Sequence, residues 1–107
     1  MVNLDPVMGS EQGKTRPVVI VSEDALNEVL PVINVLPLTS RKPGRRVYPN
    51  EALVPAGRFG LTSDSIVLAY QIRTLDKKRL FKQLGSIHDG VRREAINEAL
   101  KFQLGFE

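Results

Sequence analysis

The 107-residue sequence contains no cysteine and no tryptophan, and its only histidine is His88. Without thiols there is neither a disulfide framework nor a thiolate metal site. One histidine and carboxylates scattered singly offer no ligand spacing for zinc or calcium, so no metal and no cofactor is expected. Ser10 and Ser22 have no histidine at a recognisable spacing, which excludes a Ser-His-Asp triad. Long hydrophobic runs are missing as well. No stretch approaches the roughly 20 residues of a membrane span, and the N-terminus lacks the charged and apolar halves of a signal peptide. The sequence therefore reads as cytoplasmic, with no membrane partner. Aromatic residues make up 6% of it, and Phe59, Phe81 and Phe102 read as core or interface groups rather than as base-stacking platforms.

What is present is a chain with 42% hydrophobic residues, the size and composition of a single domain over residues 1–107. A domain this small gains stability from pairing with another chain. The net charge is +3, with the cations gathered in Arg41-Lys42-Pro43-Gly44-Arg45-Arg46 and in Lys77-Lys78-Arg79-Leu80-Phe81-Lys82. Such clusters suit a polyanion, although a small positive balance also occurs in proteins that bind none. Short β-prone runs cover Val18–Ser22, Val32–Leu38, Val47–Val54, Ile66–Leu75 and Leu84–Ile87, divided by Pro, Gly and Ser. This pattern predicts a mainly β fold, a small barrel or sandwich. A short inserted helix is expected from Asp24 to Leu30, stopped by Pro31. A C-terminal helix is expected over Gly90–Leu104 with Asp89 as its cap. Its apolar stripe is Val91, Ala95, Ala99 and Phe102, flanked by Ile96 and Leu100, while Arg93, Glu94, Asn97, Glu98 and Lys101 face water.

Two segments hold the residues with chemical potential. In Gly9-Ser10-Glu11-Gln12-Gly13-Lys14-Thr15-Arg16-Pro17 a polar glycine loop runs into Arg16 at the mouth of the strand Val18-Val19-Ile20-Val21. A charge at such a mouth is costly unless it meets an anion, which points to a phosphate site. The same pattern also describes a plain hairpin with a solvated arginine. In Val35-Leu36-Pro37-Leu38-Thr39-Ser40 a buried strand ends in two hydroxyls just before a basic loop. Hydroxyls there serve turn formation or ligand binding. His88, between the last strand and the last helix, is a loop residue or an acid-base group.

Taken together, Asp5-Pro6, Gly9-Ser10-Glu11-Gln12, Thr15-Arg16-Pro17-Val18-Val19-Ile20-Val21-Ser22, Pro37-Leu38-Thr39-Ser40, Gly60-Leu61 with Ser65-Ile66-Val67, Gln71-Ile72-Arg73-Thr74-Leu75-Asp76 and Arg79-Leu80 resemble, in order along nearly the whole chain, the MazF/PemK toxins. The resemblance implies an SH3-like small barrel that works as a homodimer. It also implies a metal-independent, sequence-specific endoribonuclease acting on single-stranded RNA, held inactive by a cognate antitoxin with an acidic, disordered tail. The family's arginine and threonine fall on Arg16 and Thr39. Arg16 has the planar fork to hold phosphate oxygens, and Thr39 can donate one hydrogen bond to the same group. Glu11 is the carboxylate placed to take the 2′-hydroxyl proton, or a surface glutamate. Ser10, Gln12, Lys14 and Arg41 are the expected RNA contacts. A gyrase poison of the CcdB type shares the fold, and an inactive RNA-binding relative is the third alternative. Two features depart from the family. Some relatives carry histidine at the position of Ser10 and an acidic residue at that of Tyr70, and most begin with a longer first strand than Met1-Val2-Asn3-Leu4 suggests.

Overall fold

A computed structural model describes residues 5–11, 14–57 and 59–106, with side chains from Arg16 onward apart from that of Phe81. The elements are β1 (Asp5–Glu11), β2 (Lys14–Ile20), α1 (Asp24–Val29), β3 (Val32–Ser40), β4 (Glu51–Val54), β5 (Ser65–Leu68), β6 (Arg73–Asp76), β7 (Leu80–Gln83) and α2 (Gly90–Leu104). The mainly β fold with a C-terminal helix and a short inserted helix is as expected. Every strand pairing is antiparallel. The strand order is β4-β5-β3-β2-β1-β7, with β6 also against β3. The two ends of this path do not join among the described residues, so the small barrel expected from the sequence is an open sheet. Helix α2 covers the β4 end, and Arg92 Nη1 donates to the Leu53 carbonyl at 3.2 Å, a way of protecting a sheet edge without closing it.

Strand β3 organises the interior because residues 35–38 are all buried. Alternation then sends its side chains into two apolar clusters on opposite faces. Leu36 and Leu38 join Val19, Val54, Val67, Ile87 and Ile96, while Ile33 and Val35 join Val18 and Leu75. Truncating any one of the fully buried members, Leu36 for instance, removes transfer energy and leaves a cavity, a loss of about 2–5 kcal/mol.

The element boundaries differ from the sequence reading where side chains or close packing override β propensity. Strand β2 begins at Lys14, not Val18, because its polar start pairs along the hairpin with β1 up to Glu11 opposite Lys14. Backbone pairing needs no apolar side chains. The expected strand Val47–Val54 shrinks to Glu51–Val54, since the Glu51 N–H donates to the Tyr48 carbonyl at 2.9 Å and closes a turn. The expected run Ile66–Leu75 is split by a 3-10 turn over Ala69–Gln71. Ala69 is fully buried there and its N–H donates to the Asn50 carbonyl. The last strand is Leu80–Gln83 rather than Leu84–Ile87. Gly85 lies so close to the Phe59 backbone that a Cβ would stand 2.9 Å from it, a contact that a side chain could not share.

The C-terminal helix has the predicted span and cap, with the Asp89 carboxylate accepting from the N–H groups of Val91 and Arg92. Its orientation matches the predicted stripe in part, with Ala95 and Ala99 on the core beside the flanking Ile96 and Leu100. Ile96, Ala99 and Arg93 are the buried side chains, whereas Val91 and Phe102 are exposed. Arg93 is tolerated inside because Nη1 donates to the Ile87 carbonyl at 3.1 Å, which compensates for desolvation. Among the described residues no helix is long and apolar enough to cross a membrane.

Candidate functional site

The site grows from the shared register of β2 and β3. Val18 pairs with Pro37, Val19 with Leu36 and Ile20 with Val35. The pairing ends at Val18 and Pro37, and Arg16 and Thr39 each stand two residues beyond it on their own strands. Both therefore lie at the same end of the β2–β3 pairing. Arg16 and Thr39 are both exposed. Thr39 is also anchored from its other side, through pairing with Ile66 of β5. Thr39 and Ser40 are therefore mounted on a paired strand rather than on a free loop.

Thr39 stands between two clefts. The larger, of about 440 Å3, is lined by Pro17, Thr39, Ser40, Gly60, Lys82 and Leu84 among others. The smaller, of about 290 Å3, is lined by Thr39, Ser40, Lys42, Arg45, Leu68 and Tyr70. Gly60 shapes the wall of the first. Its φ is +77°, and a Cβ would lie 2.1 Å from the Leu84 carbonyl oxygen, so only glycine fits both the backbone and the space. Ser40 and Ser63 share a hydroxyl contact of 3.2 Å at the rim.

A buried carboxylate holds the basic loop against the second cleft. The Glu51 side chain is 2% exposed and accepts from Arg45 Nη1 at 2.9 Å and Nη2 at 2.7 Å. The Tyr48 N–H donates to the same carboxylate at 3.0 Å. The Arg45 and Arg46 guanidinium groups lie 5.7 and 5.6 Å from the centre of the Tyr48 ring, within cation–π range. The fork from Arg45 holds the Glu51 carboxyl below its ordinary value of 4.5, against the opposing pull of burial. The same bond raises Arg45. Because the folded value is depressed, the pair stabilises the protein above the ordinary carboxylate value and ceases to do so as pH falls through the lowered one. Glu51→Gln is expected to lower the melting temperature at pH 7 and to remove part of the parent's loss of stability on acidification below about pH 4.5. Parallel melting curves of parent and variant from neutral to acid pH would check this; equal acid sensitivity in the two would refute it.

Of the residues predicted from sequence, Thr39 lines both clefts and Arg16 lies at the same end of the β2–β3 pairing without lining either. The side chains of Ser10, Glu11 and Lys14, and all of Gln12, lie outside the described residues. Arg41 is exposed and turned into its own loop, with Nε donating to the Arg45 carbonyl at 3.0 Å and its N–H to the Asp64 carbonyl at 2.7 Å; it lines neither cleft. His88 also lines neither. Lys42, Arg45 and Lys82 line the clefts but were not singled out individually, and Tyr70, noted in the sequence only as a departure from relatives, lines the smaller one. The basic runs containing the three cations were visible, yet nothing in one dimension indicated which of their members would face Thr39. Among the described residues no three His, Asp or Glu side chains converge as a metal set.

An open antiparallel sheet capped by a helix, with hydroxyls and cations around one strand end, defines a small mainly β protein with basic clefts beside that end. The family model for PemK-like, MazF-like toxins of type II toxin-antitoxin systems matches residues 1–104. The chain is 38% identical over 105 residues to Endoribonuclease MazF of Staphylococcus saprophyticus, covering 98% of this chain and 86% of that protein. Among solved structures it is similar to an endoribonuclease in complex with its cognate antitoxin from a mycobacterial species, with a TM-score of 0.84, 26% identity, and coverage of 100% of this chain and 97% of that one. It is also similar to MazE-MazF from Deinococcus radiodurans, with a TM-score of 0.76, 28% identity, and coverage of 96% and 93%. The chain belongs to the PemK-like, MazF-like toxin family.

Proposed function

We propose that this chain is the endoribonuclease toxin of a type II toxin-antitoxin system, a homodimer that cuts single-stranded RNA at chosen sequences in the cytoplasm, where its substrate is made. The observation that carries the proposal is the place of Thr39 on clefts rimmed by Lys42, Arg45 and Lys82, with Arg16 at the same end of the β2–β3 pairing, in a chain 38% identical to a protein named as an endoribonuclease.

In this mechanism the nucleophile belongs to the substrate. The 2′-oxygen attacks the adjacent phosphorus, the bond from phosphorus to the 5′-oxygen breaks, and the products carry a 2′,3′-cyclic phosphate and a free 5′-hydroxyl. Charge accumulates on the non-bridging oxygens as the fifth bond forms. Arg16 is suited to that charge, because its fork can meet two oxygens and it stays protonated through the reaction. Thr39 Oγ1 donates a further hydrogen bond and fixes the phosphate for in-line attack. Arginine gives up a proton only above about pH 12, so proton transfers fall to other groups. We assign removal of the 2′-proton to Glu11 and RNA contacts to Ser10, Gln12, Lys14 and Arg41. Mapping both ends of fragments cut from a mixed RNA pool tests the proposal and reads the preferred sequence at once. Fragments ending in a cyclic phosphate next to a recurring sequence are expected; intact RNA at protein excess would overturn it.

The partner is an antitoxin with an acidic, disordered segment lying along the same cationic clefts, where it competes with RNA. Solved relatives include one in complex with its cognate antitoxin and one with MazE. The grip of such a segment should weaken as salt rises, by screening. RNA titrated into a complex with a labelled acidic peptide is expected to release the label, and retention of the label at saturating RNA would disprove a shared surface.

A further inference from the structure

Tyr70 is the aromatic side chain at the smaller cleft, and its backbone is fixed by the packing of its neighbour. It follows Ala69, whose complete burial and hydrogen bond to Asn50 lock the 3-10 turn. The ring is then left 44% exposed beside Thr39, Ser40, Lys42, Arg45 and Leu68. Arg45, which lines the same cleft, is constrained because Glu51 grips two of its nitrogens and leaves that guanidinium little freedom. At about 290 Å3 the space falls at the lower end of the range of roughly 300–1,000 Å3 typical of small-molecule clefts, room for a single nucleotide unit. A flat aromatic surface, two hydroxyls and a lysine in one small cleft match the parts of a nucleotide: a π-face to stack, edges to hydrogen-bond and a phosphate to neutralise.

We propose that this cleft is a nucleotide subsite adjoining the scissile phosphate, with Tyr70 as the stacking face for its base, Ser40 and Arg45 as groups that read the base edge, and Lys42 as the contact to its phosphate. The subsite rests on the reading of Thr39 as a phosphate contact. It accounts for sequence choice by a cleft with little left to order on binding, since Arg45 is held by Glu51 and Tyr70 projects from a backbone turn anchored at Ala69.

The test compares the full-length parent with Tyr70→Ala and Tyr70→Phe, both at an exposed position outside the two apolar clusters. Affinity is measured first with short 2′-O-methyl oligonucleotides of mixed sequence, which cannot be cleaved through the 2′-oxygen. Tyr70→Ala should weaken binding about tenfold or more, the level of one lost base–aromatic stack, and Tyr70→Phe should stay within about threefold of the parent. On cleavable RNA, Tyr70→Ala should raise KM with kcat held within about threefold and should broaden the preference at one position beside the cut. Unchanged affinity and unchanged preference in Tyr70→Ala would overturn the subsite while leaving the nuclease reading intact if the parent cuts RNA. A parent that binds the oligonucleotides through Tyr70 but cuts no RNA would uphold the subsite and overturn the nuclease reading. A parent that binds none of them would overturn both. Equal losses in the Phe and Ala variants would assign the contact to the phenol hydroxyl and reject stacking.

Discussion

Arg16→Ala is expected to lower RNA cleavage by about 10² or more, the usual consequence of removing a donor that meets developing transition-state charge. Thr39→Ala is expected to do the same, and because the two groups would act on one phosphate their combined loss should fall short of the product of the single losses. The effect should lie mostly in kcat, since the charge they meet is larger in the phosphorane than in the bound ester. Folding should survive in both variants. Arg16 and Thr39 are exposed and belong to neither apolar cluster, so the change in stability should stay within about 0.5 kcal/mol, as for most surface substitutions. Single-turnover cleavage with circular dichroism on the same samples would measure both. Cleavage within about threefold of the parent for both variants, against the expected 10², would reject the site.

A single 2′-deoxy substitution at the nucleotide before the cut is expected to abolish cleavage there and leave the neighbouring sites untouched. The 2′-oxygen is the attacking atom in the proposed reaction, so without it no bond to phosphorus can form. A metal-activated water would instead tolerate deoxyribose and would typically leave a 5′-phosphate. Excess chelator should accordingly leave the rate unchanged. Cutting at the deoxy position with a 5′-phosphate end, or activity lost with chelator and restored by magnesium, would refute the mechanism even if Arg16 and Thr39 proved essential.

The short helix α1 shows how far local signals carry. Its start in the acidic pair Glu23-Asp24 and its stop before Pro31 were legible because both depend on neighbouring backbone groups. Helix α2 was legible in span and cap for the same reason. Its orientation was legible only in part, since Val91 and Phe102 are as apolar as Ile96, and only the position of the sheet decides which of them is covered. Glu51 is a further instance. A glutamate in a β-prone run reads as a surface residue, yet here it is the buried partner of an arginine six positions earlier, joined across a turn that splits the expected strand.

The sequence by itself determined the class: absent thiols, a lone histidine and ordered motifs from Asp5 to Leu80 pointed to a small mainly β toxin of the MazF/PemK type, and Arg16 and Thr39 to its chemistry. These are properties of residue identity and order, which the chain carries before it folds. Only the tertiary structure decided that the sheet stays open and that Lys42, Arg45, Lys82 and Tyr70 gather around Thr39. Those outcomes depend on strand register and on which faces pack against one another, and contacts between residues distant along the chain leave no periodic mark in it.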